Sequence, residues 1–285
     1  MFADEPGDPL KETLSVVLTT LNEERNIDRC LGSVSWADEI VVVDSFSRDA
    51  TVERARRYTA RVYQHEYPGS SRQVERGITY ATGDWVLVID ADEEVTPELA
   101  AEIRRIVAMP AEERGAVGYD IPRKVNAFGK WLVAGGWYPD YQFRFFRKDS
   151  YRAEHQEVHG GFAPTGPRGR LSSFLLHYTY ETIHDYMAKI NDYTSLHVAN
   201  ILKERPHARV PWHKLILSPL SHFLKMFVSK KGYRDGFHGF VLALLDAVYA
   251  LLLYAKLWEY GMRQNSGSGF LPPISNADLT KRKRL

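Results

Sequence analysis

GDWVLVIDADEE, residues 83–94, decides the fold. Gly83 and Asp84 make a turn, Trp85 to Ile89 form an unbroken apolar run of strand length, and Asp90, Asp92, Glu93 and Glu94 follow at once. A short apolar run bounded by turn residues is the pattern of a strand buried on both faces. LSVVLTT (14–20) and EIVVVDS (39–45) repeat this form upstream, and RVYQHEY (61–67) is a third candidate strand. Helical stretches separate them: NIDRCLGSV (26–34), with Asn22 read as cap and Glu23 and Glu24 in the first turn; SRDATVERARRY (47–58), opened by Ser47 or Asp49; and SSRQVERGITYA (70–81). Strands alternating with helices predict an α/β fold, a mixed, mostly parallel sheet with helices on both faces.

Downstream the rhythm changes. GYDIPRKVNAF (118–128) and YQFRFFRKDS (141–150) read as longer aromatic strands, separated by the loop WLVAGGWYPD (131–140). From about residue 180 the chain turns helical: an amphipathic helix over 180–204, a break at Arg205 and Pro206, a basic amphipathic segment over 212–228, and a nearly all-apolar one over 239–260, interrupted by Asp246 and Lys256. A spanning helix needs about 20 predominantly apolar residues, and Asp246 sits at the middle of this one. Two readings stay open, a buried core helix or a helix pair lying in a membrane interface. The second is favoured, with Lys225, Lys230, Lys231 and Arg234 toward anionic headgroups and Trp212, Trp258 and Tyr260 at the boundary. The expected domains are a loose leader (1–13), a catalytic domain (14–180, with halves 14–108 and 109–180), a helical membrane-associating region (181–265) and a basic tail (266–285) carrying KRKR.

Composition excludes several classes. The 285 residues are 44% apolar and 26% charged, as in a folded globular protein. With 37 basic against 36 acidic residues the net charge is +1, which gives no global footprint for nucleic acid. Cys30 is the only cysteine, so no internal disulfide or multi-cysteine zinc site forms, and it reads as inert packing in a reducing compartment. The first residues lack an apolar signal core, so the expected location is cytoplasmic.

Ligands of open α/β sheets bind beyond the carboxyl ends of the strands. Asp90 and Asp92 stand at such an end, where two carboxylates suit a hard cation such as Mg²⁺ or Mn²⁺ that bridges to phosphates. The plainer alternative is that these acids end the strand and cap the next helix. Asp44, ending the second strand, can accept from a uracil-type ring or a ribose hydroxyl, or else cap a helix at Ser47. Arg72 can fork onto phosphate oxygens, or be a solvated helix-face arginine. No G-x-G-x-x-G or P-loop occurs, which disfavours dinucleotide dehydrogenases and P-loop kinases.

In this order and spacing, TTLNEE (19–24), VVVDSFSRDAT (41–51), the SSRQ helix and GDWVLVIDADEE resemble the nucleotide-sugar half of family 2 inverting glycosyltransferases of the GT-A fold. Farther on, GGWYPDYQFRFFRK (135–148), EVHGGF (157–162), LLHYTYETIHDYMAKINDYT (175–194), GYRDGFHGFVLALL (232–245) and YAKLWE (254–259) resemble the branch of lipopolysaccharide core glucosyltransferases acting on an inner-core heptose. The resemblance implies a UDP-sugar donor, UDP-glucose or a similar hexose, held by Thr19, Thr20, Asn22, Glu23 and Asp44 around the uridine. It implies Arg72 near the diphosphate and Asp90 and Ala91 at the ribose. Asp92 would be the direct ligand of a Mg²⁺ or Mn²⁺ cofactor, with His159 adding a metal or diphosphate contact. Inversion needs a carboxylate base on the acceptor hydroxyl. Glu157 is preferred and Asp140 is the other candidate, since the branch often carries a glutamate where Gly160 stands. The implied acceptor is a lipid-anchored oligosaccharide at an anionic membrane surface, met by Trp137, Tyr138 and Arg144. Trp131 and Tyr141 add to an aromatic cluster that is either a sugar platform or core.

Three other functions are weighed. A polyprenyl-phosphate glycosyltransferase would use Arg144, Arg147 and Lys148 on the lipid phosphate. A sugar-nucleotide pyrophosphorylase would want a glycine-rich signature near the N-terminus, which is missing. A non-catalytic nucleotide-sugar-binding scaffold would keep its phenotype without Asp92.

Overall fold

The computed structural model describes residues 12–154, 161–205 and 210–265. Over these residues the chain forms two compact units, one of 12–122, 141–154 and 161–175, the other of 123–140, 176–205 and 210–265.

In the first unit the chain alternates as β1 (Leu14–Thr20), α1 (Ile27–Ser33), β2 (Glu39–Asp44), α2 (Thr51–Ala55), β3 (Val62–Gln64), α3 (Ser70–Tyr80) and β4 (Trp85–Asp90), then β5 (Glu93–Val95) and α4 (Pro97–Ala108). The sheet runs β3-β2-β1-β4 with parallel pairing throughout. β6 (Gly118–Ala127) begins here and ends in the second unit; β7 (Lys130–Trp131) pairs with its far end. β8 (Asp140–Arg147) lies antiparallel beside β4, with Trp85 opposite Arg147. β9 (Tyr151–Glu154) and β10 (Gly161–Pro164) form a small antiparallel pair, and β11 (Arg168–Arg170) joins β6 in parallel. The expected mixed, mostly parallel GT-A sheet flanked by helices is therefore present.

Both sheet faces are covered because successive strand residues point to opposite sides. Val16, Leu18, Val42, Leu87 and Ile89 pack with Ile27 and Leu31 of α1 and Leu99 and Ile103 of α4. Val17, Val41, Val43, Val86 and Val88 pack with Val74 and Ile78 of α3. α3 comes close enough that a Cβ built on Gly77 would stand 2.5 Å from Val17 Cγ1, so only glycine fits. Cys30 is buried at α1, and burial, then Glu93, Asp92 and Asp90, push its thiol well above its ordinary value, which keeps it an inert packing group.

The second unit is mainly helical: β12 (Leu175–Tyr180) leads into α5 (Ile183–Glu204), then come α6 (Lys214–Leu224) and α7 (Phe237–Asn265). Thr182 and Asp185 close a capping box on α5. Leu132, Tyr186, Ile190, Leu242 and Leu245 form one core, and Val198, Leu202, Leu253 and Leu257 another. Both charges that interrupt α7 turn to protein partners. Asp246 Oδ2 lies 2.9 Å from His222 Nδ1 of α6, and Lys256 Nζ donates to Asn191 Oδ1, Thr194 Oγ1 and Ser195 Oγ at 2.8–2.9 Å.

α7 leaves an apolar row outside. Phe237, Phe240, Leu244, Leu251, Trp258 and Met262 recur at helical spacing and all are exposed; on α6 and the turn after it Ile216, Leu220, Leu224 and Val228 do the same. Within Phe237–Arg263 an 18-residue window has mean hydropathy 1.9 and is 33% buried, so the helix is long and apolar enough to cross a membrane by length and composition alone. The KRKR tail lies outside the described residues.

Candidate active site

Strand register assembles the candidate donor site in the first unit. Thr20 of β1 pairs with Asp44 of β2, and Thr19 pairs with Asp90 of β4, so three strand ends meet on one edge. Ser45 N–H continues this line by donating to Thr20 O at 2.9 Å. Thr20 is buried, and its Oγ1 has no hydrogen-bond partner among the described residues.

The loops leaving β1 and β2 are stitched together. Asn22 takes a left-handed φ of 55°; its N–H donates to Ser47 Oγ at 2.8 Å, and its Oδ1 accepts from Arg48 N at 2.9 Å. Glu23 N donates to Thr51 Oγ1 at 2.8 Å. Asn22 therefore does not cap α1, which starts five residues later after Asn26; its side chain holds the neighbouring loop instead. Asp44 is fully buried and accepts at Oδ2 from Ser47 N and Gln64 Nε2, both at 2.9 Å, and at Oδ1 from Ser47 Oγ. Arg72 is exposed on the first turn of α3.

At the end of β4, Ala91 and Asp92 form the turn into β5; Ala91 is buried and Asp92 half-buried. Glu93, which the sequence reading left unassigned, is fully buried, and its Oε2 accepts from Asp90 N at 2.9 Å. Arg144 of β8 donates from Nη2 to Asp90 Oδ2 at 2.6 Å and lies 4.0 Å from Glu93 Oε1. Burial lowers the Arg144 guanidinium, but the charges of Asp90, Glu93 and Asp92 outweigh it and hold it above its ordinary value. Arg144, expected on the acceptor, is thus turned onto the first carboxylate of the D-x-D. The other expected lipid-phosphate cations are also engaged: Arg147 Nη1 meets Glu12 Oε1 at 2.7 Å, and Lys148 Nζ donates to Ala81 O. Beside this edge a cavity of about 190 Å³ is lined by Ser70, Ser71, Gln142, Arg144, Phe162 and Arg168.

The donor set at Asp90 and Asp92 suits a hard divalent cation, because both supply carboxylate oxygen. Formally, three carboxylates here face one guanidinium, leaving two negative charges for a cation to neutralise. Among the described residues no group of three His, Cys, Asp or Glu side chains converges to hold a metal.

Of the acceptor-side candidates, Trp137, Tyr138 and Asp140 belong to the second unit. Asp140 accepts from Arg123 Nε and Nη2 at 2.9 and 2.5 Å. Trp137 packs edge-on against Tyr180 and Trp131 against Tyr178, as partly buried core-edge rings. Tyr138 is half-buried, and Tyr141, on the first unit, is exposed beneath Arg170, whose guanidinium carbon is 4.6 Å from the ring centre. Glu157 and His159 lie outside the described residues.

A doubly covered parallel sheet with an acid-lined carboxyl edge defines an α/β fold built to bind a ligand at that edge. The chain belongs to glycosyl transferase family 2, whose family model matches residues 15–164, and it is a glycosyltransferase of that family. It is 28% identical over 261 residues to the lipopolysaccharide core biosynthesis glycosyltransferase LpsC of Rhizobium meliloti, covering 87% of this chain and 93% of that one. An uncharacterized glycosyltransferase of Rickettsia felis is 29% identical over 259 residues, covering 87% and 90%. Among solved structures, S. aureus TarS 1-349 in complex with UDP-GlcNAc aligns over 93% of this chain and 95% of that one, at 16% identity and a TM-score of 0.45. Mycobacterium tuberculosis glucosyl-3-phosphoglycerate synthase in complex with Mn²⁺, UDP-glucose and phosphoglyceric acid aligns over 40% and 44%, at 28% identity and a TM-score of 0.34.

Proposed function

We propose that this chain is an inverting, metal-dependent hexosyltransferase that moves a sugar from a UDP-sugar, UDP-glucose or a similar donor, to a lipid-anchored glycan such as a lipopolysaccharide inner-core heptose. It works peripherally on the cytoplasmic face of an anionic membrane. The catalytic work belongs to 14–180 and membrane association to 181–265. The observation that carries this reading is the alignment of Thr19, Thr20, Asp44 and Asp90 on one sheet edge, in a family 2 chain similar along most of its length to a lipopolysaccharide core enzyme.

Thr19, Thr20, Asn22, Glu23 and Asp44 receive the uridine, and the buried Thr20 hydroxyl finds there the partner it lacks. Arg72 meets the diphosphate, and Asp90 and Ala91 lie at the ribose. Asp92, with His159, would hold Mg²⁺ or Mn²⁺, which supplies charge neutralisation to the departing UDP. Transfer is a single displacement: the acceptor hydroxyl oxygen bonds to the anomeric carbon as the bond to UDP breaks, and a carboxylate takes the hydroxyl proton. Glu157 or Asp140 is that base, and Arg123 orients Asp140. Trp137 and Tyr138 offer rings to the acceptor sugar. The polyprenyl-phosphate alternative loses support, because Arg144, Arg147 and Lys148 are all engaged by other groups. The exposed apolar rows of α6 and α7, flanked by exposed Lys225, Lys230, Lys231 and Arg234, support seating on anionic lipid.

The test is UDP release and product mass, with and without Mn²⁺, over a panel of sugar nucleotides and a bacterial lipid-extract acceptor. Metal-dependent transfer that Asp92→Asn abolishes is expected. Absence of donor turnover from the wild type across the panel overturns the reading. Flotation with anionic liposomes at low salt tests the membrane part, and protein left in the soluble fraction refutes it.

A further inference from the structure

Asp235 is the last residue of the turn joining α6 to α7, and it is only 1% exposed. A fully buried carboxylate is costly unless its oxygens are satisfied. Here they receive main-chain donors from a different segment. Val133 N lies 3.1 Å from Oδ1 and 3.3 Å from Oδ2, and Ala134 N lies 3.0 Å from Oδ2. Two further bonds join the same segments: Lys130 Nζ donates to Asp235 O at 2.6 Å, and Gly135 N donates to Lys230 O at 2.9 Å. Gly135 lies near the turn, where a Cβ would reach van der Waals contact with Gly232 Cα at 3.6 Å, and it holds a φ of +67°.

The two segments differ in what they carry. Residues 131–139 hold Trp137 and Tyr138, the proposed acceptor rings. The 230–236 turn carries exposed Lys230, Lys231 and Arg234 and connects the two exposed apolar helix faces. Leu132 is buried in the core of this unit, whereas Val133 is 46% exposed and its side chain adds no burial there. The polar hold on the Val133 and Ala134 amides is the carboxylate.

We propose that Asp235 is a positioning residue that ties the 131–139 loop to the α6–α7 turn, so that seating the two helices on an anionic lipid surface fixes the acceptor-side loop. This rests on the membrane seating and acceptor roles proposed above. The turn is held by its bonds to the loop, so whatever quiets the turn quiets the loop. A lipid-borne acceptor would then meet an ordered loop only where the membrane is.

The experiment measures hydrogen exchange of the peptide spanning 130–138 in the full chain, with and without vesicles of phosphatidylethanolamine and phosphatidylglycerol, alongside flotation on the same vesicles. In the wild type, vesicles should slow exchange of the Val133 and Ala134 amides by about tenfold, the scale of a suppressed local opening. Asp235→Asn keeps one acceptor oxygen and opposes a donor to the other amide, so it should float normally yet lose that protection. Lys130→Ala, which removes only the bond to Asp235 O, should lose part of it, and it serves as the second variant if Asp235→Asn does not fold. With the lipid-extract acceptor, Asp235→Asn should raise the acceptor KM about tenfold, the loss of roughly one charge-assisted hydrogen bond, while acceptor-free UDP release stays at the wild-type rate. Vesicle-bound wild type with unchanged exchange over 130–138, or full protection in both variants, overturns the inference and leaves the membrane reading standing. Wild type that does not float overturns both.

Discussion

Replacing Arg144 with methionine removes a guanidinium from among three carboxylates while keeping an apolar side chain of useful length. The Arg144 side chain is 15% exposed and that of Glu93 is 0% exposed, with 4.0 Å between Nη2 and Oε1. At an effective dielectric of about 20, that separation corresponds to roughly 4 kcal/mol. The 2.6 Å contact with Asp90 adds less, about 1 kcal/mol at most, because that carboxylate is 36% exposed and screened by water. Breaking a buried pair and stranding one partner costs about 3–5 kcal/mol, so about 4 kcal/mol is the expected loss. For a chain of this size that lowers the melting temperature by on the order of 10 °C. The assay is thermal unfolding of wild type and Arg144→Met with and without Mn²⁺. If Asp90 and Asp92 accept a divalent cation, the variant should regain about 2.7 kcal/mol at a hundredfold excess over its dissociation constant, more than the wild type gains, because no guanidinium competes for Asp90. Adding Asp92→Asn should cancel the recovery. A variant melting within about 2 °C of wild type refutes the buried-charge argument. Equal Mn²⁺ shifts in both proteins refute the cation site.

Thr20→Val removes a buried hydroxyl that has no partner among the described residues, so the free protein should be as stable as wild type or up to about 1 kcal/mol more stable, while the KM for the UDP-sugar rises; an unchanged KM removes Thr20 from the donor site. At Glu39 burial raises the carboxyl, but bonds from Ser15 and Thr82 and the charge of Arg61 outweigh it and hold it below its ordinary 4.5. A lowered carboxyl stabilises above that ordinary value and the gain is lost as pH falls through the folded value; Glu39→Gln should therefore cost about 2 kcal/mol at neutral pH and flatten the loss of stability below pH 4.5, as read by urea unfolding over pH. Leu220→Glu with Leu224→Glu alters side chains that are 53% and 47% exposed, so flotation should be lost while urea stability stays within about 0.5 kcal/mol; retained flotation would remove α6 from the lipid-facing surface.

The donor half was readable because its signals are local. Five apolar residues followed by acids place Asp90 at a strand end wherever the strand goes, and parallel pairing then brings Thr19 and Asp44 to the same edge. The contact of Arg144 with Asp90 was not legible, because the two lie 54 residues apart and meet only through the antiparallel pairing of β8 with β4, which no periodicity announces. Glu93 and Glu94 look alike in DADEE. Only the alternation of β5, with Glu93 and Val95 inward and Glu94 half-exposed, separates them, and that signal was present once the turn at Ala91 and Asp92 was located. Asn22 read as a cap because asparagine before a helix usually is one, yet asparagine also tolerates the left-handed conformation that a loop needs. Asp235 carries no local signal, because its bond to Ala134 spans 101 residues.

The near-neutral total charge hides an arrangement that bears on donor binding. Asp90, Asp92 and Glu93 crowd one strand end, and the basic Arg144 is set among them. A diphosphate arriving without a cation would meet like charge at short range, which is repulsive however well Arg72 forks onto it. Arg144, 2.6 Å from Asp90 and 4.0 Å from the buried Glu93, is turned onto the acids at this edge. On the function proposed above, a cation arriving with the donor would supply the positive charge that a UDP-sugar needs at this edge. That requirement separates this site from nucleotide sites whose lysine and backbone amides do the same work, and it accounts for a glycosyltransferase edge with neither a P-loop nor a glycine-rich turn.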